Sequence, residues 1–545
     1  MCLLLLLLIG LYSAQAQEWQ WSVAVPSGID RASPARAFLW IPPACKQVRG
    51  VVFAQFNMEE ISILESAQFR REMAGLDFAE IWVSPAFNPR FNFNEGAGES
   101  LSTLLKMLAE QSGYSELETA PLVPMGHSAA ASAPYFMAAW APERVLACLS
   151  VSGQWPYFRD KQFAPDIWGS RTNDYVPALE TMGEYEAAAT WLDEGLKERQ
   201  QHPLMPLSML ACPAEGHFAA TDKKVAYLAF YIKKAAQYRL PKNPSKGQRP
   251  VLKLIDPTKT GWLLEKWKPN QEPTVPAAPV ARYTGDPTQA FWFFDEEHAR
   301  ATEAYQAGHR NQKPQLVSYL LNGRPAPQRN THQQVNLPFQ PLSDEVTFVV
   351  KGTFLDTVGG GSPRLAMWAG QPVGSPIGHA QGGGPVVISR IAGPFRQVSA
   401  DTFAFNLTRG LSPQLRAYDL WLTATHPGDA AHKPAVQQAQ MVVPLRLTEG
   451  QPQRITFPKP ADVPVRRTRH ATVLLAATSD AGLPVRYYVR EGPAEIVGNT
   501  LRFTQLPPRS KLPLAVTVLA WQRGRRQVPS AQTAEPVERT FQIVR

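Results

Sequence analysis

Cysteine is scarce in this chain, with four among 545 residues, at positions 2, 45, 148 and 212. Their spacing fits no zinc or iron–sulfur pattern, so no metal and no disulfide-stapled scaffold is expected. Cys148 and Cys212 fall in apolar segments, where buried free thiols are expected, a single disulfide being the alternative. Nor is any apolar run long enough to cross a bilayer. The nearest is a leucine run at residues 3–8, continued to Tyr12 and followed by Ala14-Gln15-Ala16. This reads as a signal peptide over residues 1–16 and hence as a secreted or periplasmic protein, possible cell-surface association included. No Lys or Arg precedes the run, which points to a start inside a longer signal. Nucleic-acid-binding motifs are missing, and export removes that partner. The triplets Gly359-Gly360-Gly361 and Gly382-Gly383-Gly384 lie between no strand and helix, so they read as β-loops and not phosphate cradles.

What is present begins with Gly126-His127-Ser128-Ala129-Ala130. An apolar, strand-like segment at 120–125 precedes it, and a helix-forming segment at 129–140, stopped by Ala141-Pro142, follows. A serine at such a junction sits on a strained turn that lifts its Oγ out of the sheet, the nucleophile elbow. Ala130 stands where the common motif has glycine. An activated serine needs a base and an orienting acid, in the chain order Ser, Asp or Glu, His. Residues 176–183 read as a strand ending in glycine, with Glu184 and Glu186 in the turn beyond it. Residues 207–212 form the next strand, and His217 follows. After it, Val225, Leu228, Ile232 and Ala236 recur at helical spacing.

On these ordered strand ends, residues 38–240 resemble an α/β hydrolase, more narrowly its secreted bacterial esterase-type members. The resemblance covers under half the chain. It implies a mostly parallel sheet with flanking helices, and maps the triad as Ser128, His217 and Glu186, with Glu184 as fallback. It also implies an oxyanion hole made by the backbone N–H of Ala129 and one N–H from the loop after the strand at 51–54, namely Phe56, Asn57 or Met58. The glycines usual in that loop are absent. No cofactor is implied.

Length alone requires further domains. The expected division is a signal peptide at 1–16, an α/β catalytic domain at 17–245, and a proline-rich linker at 246–334. The linker carries an aromatic helix at 286–306 that packs Phe291-Trp292-Phe293-Phe294 on the catalytic domain, or offers them as a substrate platform. From Val335 short strands separated by Gly and Pro predict all-β modules, a sandwich at 335–450 and a second at 451–545. The second resembles bacterial immunoglobulin-like repeats. It holds fifteen basic against six acidic side chains, a difference equal to the formal +9 of the whole chain. Contact with acidic glycans or a cell surface is one reading, a merely solvated basic face the other.

Only a moderate connection, residues 152–175, lies where relatives insert a cap, so the site is expected to be open. His127, Trp155, Tyr157 and Trp168 are expected to line it and meet substrate. Together these features imply a Ser-His-Glu acyl-enzyme mechanism acting on carboxylic esters, with acyl groups on glycans as the expected class. A peptidase of the same fold, and a non-catalytic glycan-binding or adhesion protein with a retired catalytic domain, are the alternatives.

Overall fold

The computed structural model describes residues 18–26, 35–157, 166–242, 248–331, 333–411 and 417–545. The signal-peptide reading therefore lies outside the described residues. So does the middle of the connection at 152–175.

The first unit is built on one eight-stranded sheet: β1 (Trp21–Ala24), β2 (Arg36–Trp40), β3 (Gly50–Gln55), β4 (Phe78–Ser84), β5 (Leu122–His127), β6 (Cys148–Val151), β7 (Ala178–Gly183) and β8 (Leu207–Cys212). Their spatial order is β1-β2-β4-β3-β5-β6-β7-β8. Only β1 and β2 run antiparallel to their neighbours. Parallel strands are covered on both faces, so they read as continuous apolar runs. In β3, Val51 and Phe53 enter one core while Val52 and Ala54 enter the other. Helices α1 (Glu60–Leu64) and α2 (Ala67–Gly75) lie on the second face. Helices α3 (Ala97–Ser112), α4 (Ala133–Trp140) and α5 (Ala188–Gln201) lie on the first, and α6 (Asp222–Arg239) returns to the second. This is the α/β-hydrolase-type architecture. α6 begins where Thr221 caps the Lys224 N–H, and Asp222 adds a favourable charge in its first turn. The cysteines Cys45, Cys148 and Cys212 are free and buried.

The aromatic run is not helical. Three strands, β9 (Trp262–Glu265), β10 (Ala278–Pro279) and β11 (Ala290–Phe293), form an antiparallel sheet, and helix α7 spans only Glu296–Gln306. Phe291, Trp292 and Phe293 are all buried, the pattern of a strand covered on both sides, and the Asp295 side chain starts the helix by accepting from the His298 N–H. The run packs on the α/β unit: the Ser208 hydroxyl donates to the Trp292 carbonyl at 2.6 Å.

The all-β part starts earlier than Val335. Strand Leu316–Leu321 sends Val317 and Tyr319 into the same core as Leu420, Leu422 and Met441 of the long hairpin Ala417–His426 and Ala435–Pro444. A last module follows, with a four-stranded sheet (Val463–Pro464, Val537–Val544, Leu514–Trp521, Arg486–Glu491) facing a three-stranded one. Neither module hangs free. Val516 and Phe541 of the last module share an apolar cluster with Trp21 and Leu101 of the α/β unit. Gly492 N–H donates to the Trp19 carbonyl at 3.0 Å, and Lys511 N–H to that of Ser112 at 2.9 Å. Among the described residues, no helix is long and apolar enough to cross a membrane.

Candidate active site

β5 ends in the elbow. Ser128 has φ of +55°, a left-handed conformation disfavoured for any residue with a side chain. The turn closes so tightly that a Cβ on Gly126 would lie 2.1 Å from the Ala130 carbonyl oxygen, so only glycine fits there. Ser128 remains half-exposed and Ala129 is exposed. The strand ends of β7 and β8 converge on it. His217 Nε2 lies 2.8 Å from the Ser128 Oγ, and its Nδ1 lies 2.5 Å from Glu186 Oε2. The other carboxylate oxygen of Glu186 accepts from the Gly183 N–H at 3.1 Å. Burial alone would raise the Glu186 pKa, but the imidazole of His217, Lys224 and the Gly183 N–H outweigh it and hold the carboxyl below its usual range.

Glu184 takes no part in this chain of hydrogen bonds. Its carboxylate accepts from the Ala214 N–H at 2.8 Å and pairs with Lys433 of the β-sandwich at 2.9 Å. It therefore ties the histidine loop to the neighbouring unit.

The loop after β3 differs from expectation. Phe56 N–H is spent in the sheet, donating to Val83 at 2.8 Å. Met58 and Asn57 N–H both donate to Glu60 Oε2, at 2.8 and 3.3 Å. All three expected backbone donors thus already have acceptors. What the loop presents to the elbow is the Asn57 carboxamide, whose Nδ2 donates to the His127 carbonyl at 2.8 Å and carries a second hydrogen. Ala129 N–H lies in the first turn after the nucleophile, where helical N–H groups have no partner within the helix.

Of the residues expected to meet substrate, His127, Trp155 and Trp168 are buried instead and Tyr157 is half-buried. His127 is fully buried, and its Nε2 donates to the His217 carbonyl at 2.9 Å, so it supports the catalytic loop from behind. Trp155 stacks between Trp191 and Phe291 and donates to the Trp191 carbonyl. Trp168 packs edge-on against Phe136 and Tyr157. Tyr157 stacks on His202, and its hydroxyl accepts from the Asn173 N–H. These rings close the core because Trp168 packs on Phe136 of α4 and Trp155 on Trp191 of α5.

Two groups that sequence reasoning missed stand close by. The first is a buried ionisable set behind the triad. Glu60 Oε1 accepts from the His127 N–H at 2.8 Å, and burial lifts Glu60 to about 7 despite the backbone N–H groups that donate to it. Glu59 is pushed to about 8, chiefly by burial, with Lys224 opposing. Lys224 lies 3.4 Å from Glu215, which accepts from the Tyr305 hydroxyl at 2.5 Å. Two adjacent acids opening a helix straight after the oxyanion loop were the available signal. The second is the β-sandwich itself. Trp421 and Ile391 pack with Phe218 and Met58. A cavity of about 180 Å³ beside His217 and Glu186 is walled by Gln334, Arg364, Trp368 and Gln438. The site is accessible but not open on all sides, and no sequence signal linked a separate β-module to it. Among the described residues no cluster suited to a metal ion occurs.

No family model matches the chain, and neither does any curated protein. Solved structures resemble its first unit. A dienelactone hydrolase from Anabaena variabilis is 16% identical at a TM-score of 0.28, covering 41% of this chain and 98% of its own. An S-formylglutathione hydrolase from Agrobacterium tumefaciens is 14% identical at 0.29, with coverage of 40% and 94%. An esterase from Pyrobaculum calidifontis is 16% identical at 0.29, covering 41% and 88%. At these values the likeness adds nothing to the chemistry, which rests on the side chains described above.

Proposed function

We propose that this chain is a serine hydrolase of carboxylic esters. The observation that carries the reading is the unbroken relay Ser128 Oγ, His217, Glu186, with a strained serine at the relay's accessible end. Ser128 attacks the ester carbonyl as His217 Nε2 takes its proton. The tetrahedral oxyanion is met by Ala129 N–H and the second hydrogen of Asn57 Nδ2, whose first bonds the His127 carbonyl of the elbow itself. His217 returns the proton to the leaving alcohol, and Glu186 holds the imidazole in the tautomer with Nδ1–H while stabilising its cation. Water then repeats the sequence on the acyl-enzyme.

The cleft wall supports a polar substrate. Gln334, Arg364 and Gln438 are among the residues that line the cleft at His217, a wall that suits an acyl group on a glycan or another hydroxyl-rich alcohol better than a long-chain triglyceride. The reading includes export, in keeping with the leader expected at residues 1–16.

Rapid mixing with p-nitrophenyl acetate tests the proposal. The account expects a burst of p-nitrophenol equal to the enzyme present and an acetyl adduct on the peptide carrying Ser128. Hydrolysis with no burst and no adduct, retained in Ser128→Ala, would sink it.

A further inference from the structure

The α/β unit, the β-sandwich and the last module line a second, partly open cavity where they meet, of about 580 Å³. It shares no lining residue with the cleft at His217. Phe38, Phe405, Tyr488 and Trp521 contribute aromatic rings to its wall. Five arginines also line it, and four have carboxylate partners. Arg36 and Arg490 lie 3.6 and 3.1 Å from Glu491, Arg446 pairs with Glu535, and Arg409 lies 3.3 Å from Glu65.

Arg523 is the exception. It is 1% exposed, and its Nη2 donates to the Pro444 carbonyl at 2.5 Å. Its Nε and Nη1 have no acceptor among the described residues. The carboxylate that interacts with it electrostatically, Glu345, is already held by Arg526 at 2.7 Å. Burial, reinforced by Arg526, lowers Arg523 only to about 10, so it is a cation at neutral pH. The buried Tyr488 hydroxyl, Trp521 Nε1 and Arg490 Nε, on residues lining the same cavity, also lack acceptors. A buried guanidinium that has only a carboxylate already paired with Arg526, set among unsatisfied donors, is unfavourable unless something enters to accept from them.

We propose that this cavity is a second binding site, for an organic monocarboxylate with an apolar alkyl or aryl body. Its carboxylate neutralises Arg523, and its body lies against Phe405 and Trp521. Arg523 sits 4.8 Å from the Phe405 ring, so charge recognition and the aromatic wall are adjacent. One unmatched positive charge calls for one negative charge. A phosphate dianion would bring a second that no free cation meets, and a neutral ligand would leave the guanidinium unmatched. The volume is that of an ordinary small-molecule site. This inference does not depend on the hydrolytic reading of Ser128.

Calorimetric titration of the full chain with octanoate, 1-octanol and octylammonium tests it. The expected result is saturable binding of octanoate at one site per chain, with octanol at least about tenfold weaker and octylammonium not bound. Arg523→Met should weaken octanoate by about tenfold or more, while Arg523→Lys keeps part of the affinity. Leu519→Trp, which narrows the cavity beside Trp521 and leaves Arg523 in place, should weaken binding by about tenfold or more, and it decides the matter with Arg523→Lys if Arg523→Met does not fold. Equal octanoate affinity in wild type and Arg523→Met, equal affinity for octanol, undiminished binding in Leu519→Trp, or no octanoate binding at millimolar concentration would each overturn the proposal.

Discussion

Two glutamates stand two residues apart in the turn after β7, and their surroundings separate them. Glu186 reaches His217 Nδ1, whereas Glu184 joins Lys433 and the Ala214 N–H. Glu186→Gln should therefore lower kcat on the order of 10⁴-fold with KM little changed, because the productive imidazole tautomer is no longer enforced. Glu184→Gln should lower the melting temperature and leave kcat within about tenfold, since what it breaks is a tie between loops. Steady-state kinetics on both variants would expose a reversal of these roles. Asn57 offers a second contrast. If its carboxamide meets the oxyanion, Asn57→Ala should reduce kcat by about 10²–10³-fold with little effect on KM. An unchanged kcat would return the second donor to the backbone.

At the scale of elements, each reactive side chain sits just past the carboxyl end of a parallel strand, and tight loops hold those ends in register. A Cβ on Gly183 would lie 2.4 Å from the Glu215 carbonyl, so the acid turn and the histidine loop interlock only around glycine. Behind them, Glu59 holds a proton in the folded protein up to about pH 8, against an ordinary 4.5. Between those values the folded chain binds more protons than the unfolded one, so stability falls as pH rises. The melting temperature should drop from pH 5 to pH 8, and Glu59→Gln should reduce that slope in part, since burial also lifts Glu60 to about 7 and Glu80 to about 8; an unchanged slope would place the proton elsewhere. Strands β3, β5, β7 and β8 were legible in the sequence because burial on both faces makes each a continuous apolar run, ended by glycine or small residues. The same signal misled at Phe291-Trp292-Phe293, because an apolar run of that length is ambiguous between strand and helix. Trp155 and Trp168 were misplaced since aromatic type says nothing about the direction in which a loop folds. The Glu59 and Glu60 pair escaped notice because adjacent acids usually mark a solvated helix start, and only the tertiary fold buries them.

The whole molecule is more closely joined than its sequence suggests. The basic excess after Gly450 is spent partly within the chain, since Arg486, Arg509 and Arg526 pair with Asp344, Glu116 and Glu345 of the preceding units. Expected retention on acidic polysaccharide would have to use the cations left over. The sequence alone suggests that catalysis survives removal of the last module. The shared cluster of Trp21 with Val516 and Phe541 argues against this, and a chain ending near Thr448 should lose its cooperative thermal transition and its esterase activity together. Full activity in that shortened chain would show the modules to be independent. The account's central claim, that Ser128 is a nucleophile activated by His217 and Glu186, is tested most directly by labelling the intact protein with a fluorophosphonate and mapping the adduct by mass spectrometry. The account predicts one adduct, on Ser128, absent from a folded Ser128→Ala protein and strongly slowed in Glu186→Gln. No adduct on the folded wild type, or an adduct on another serine that persists in Ser128→Ala, would contradict it.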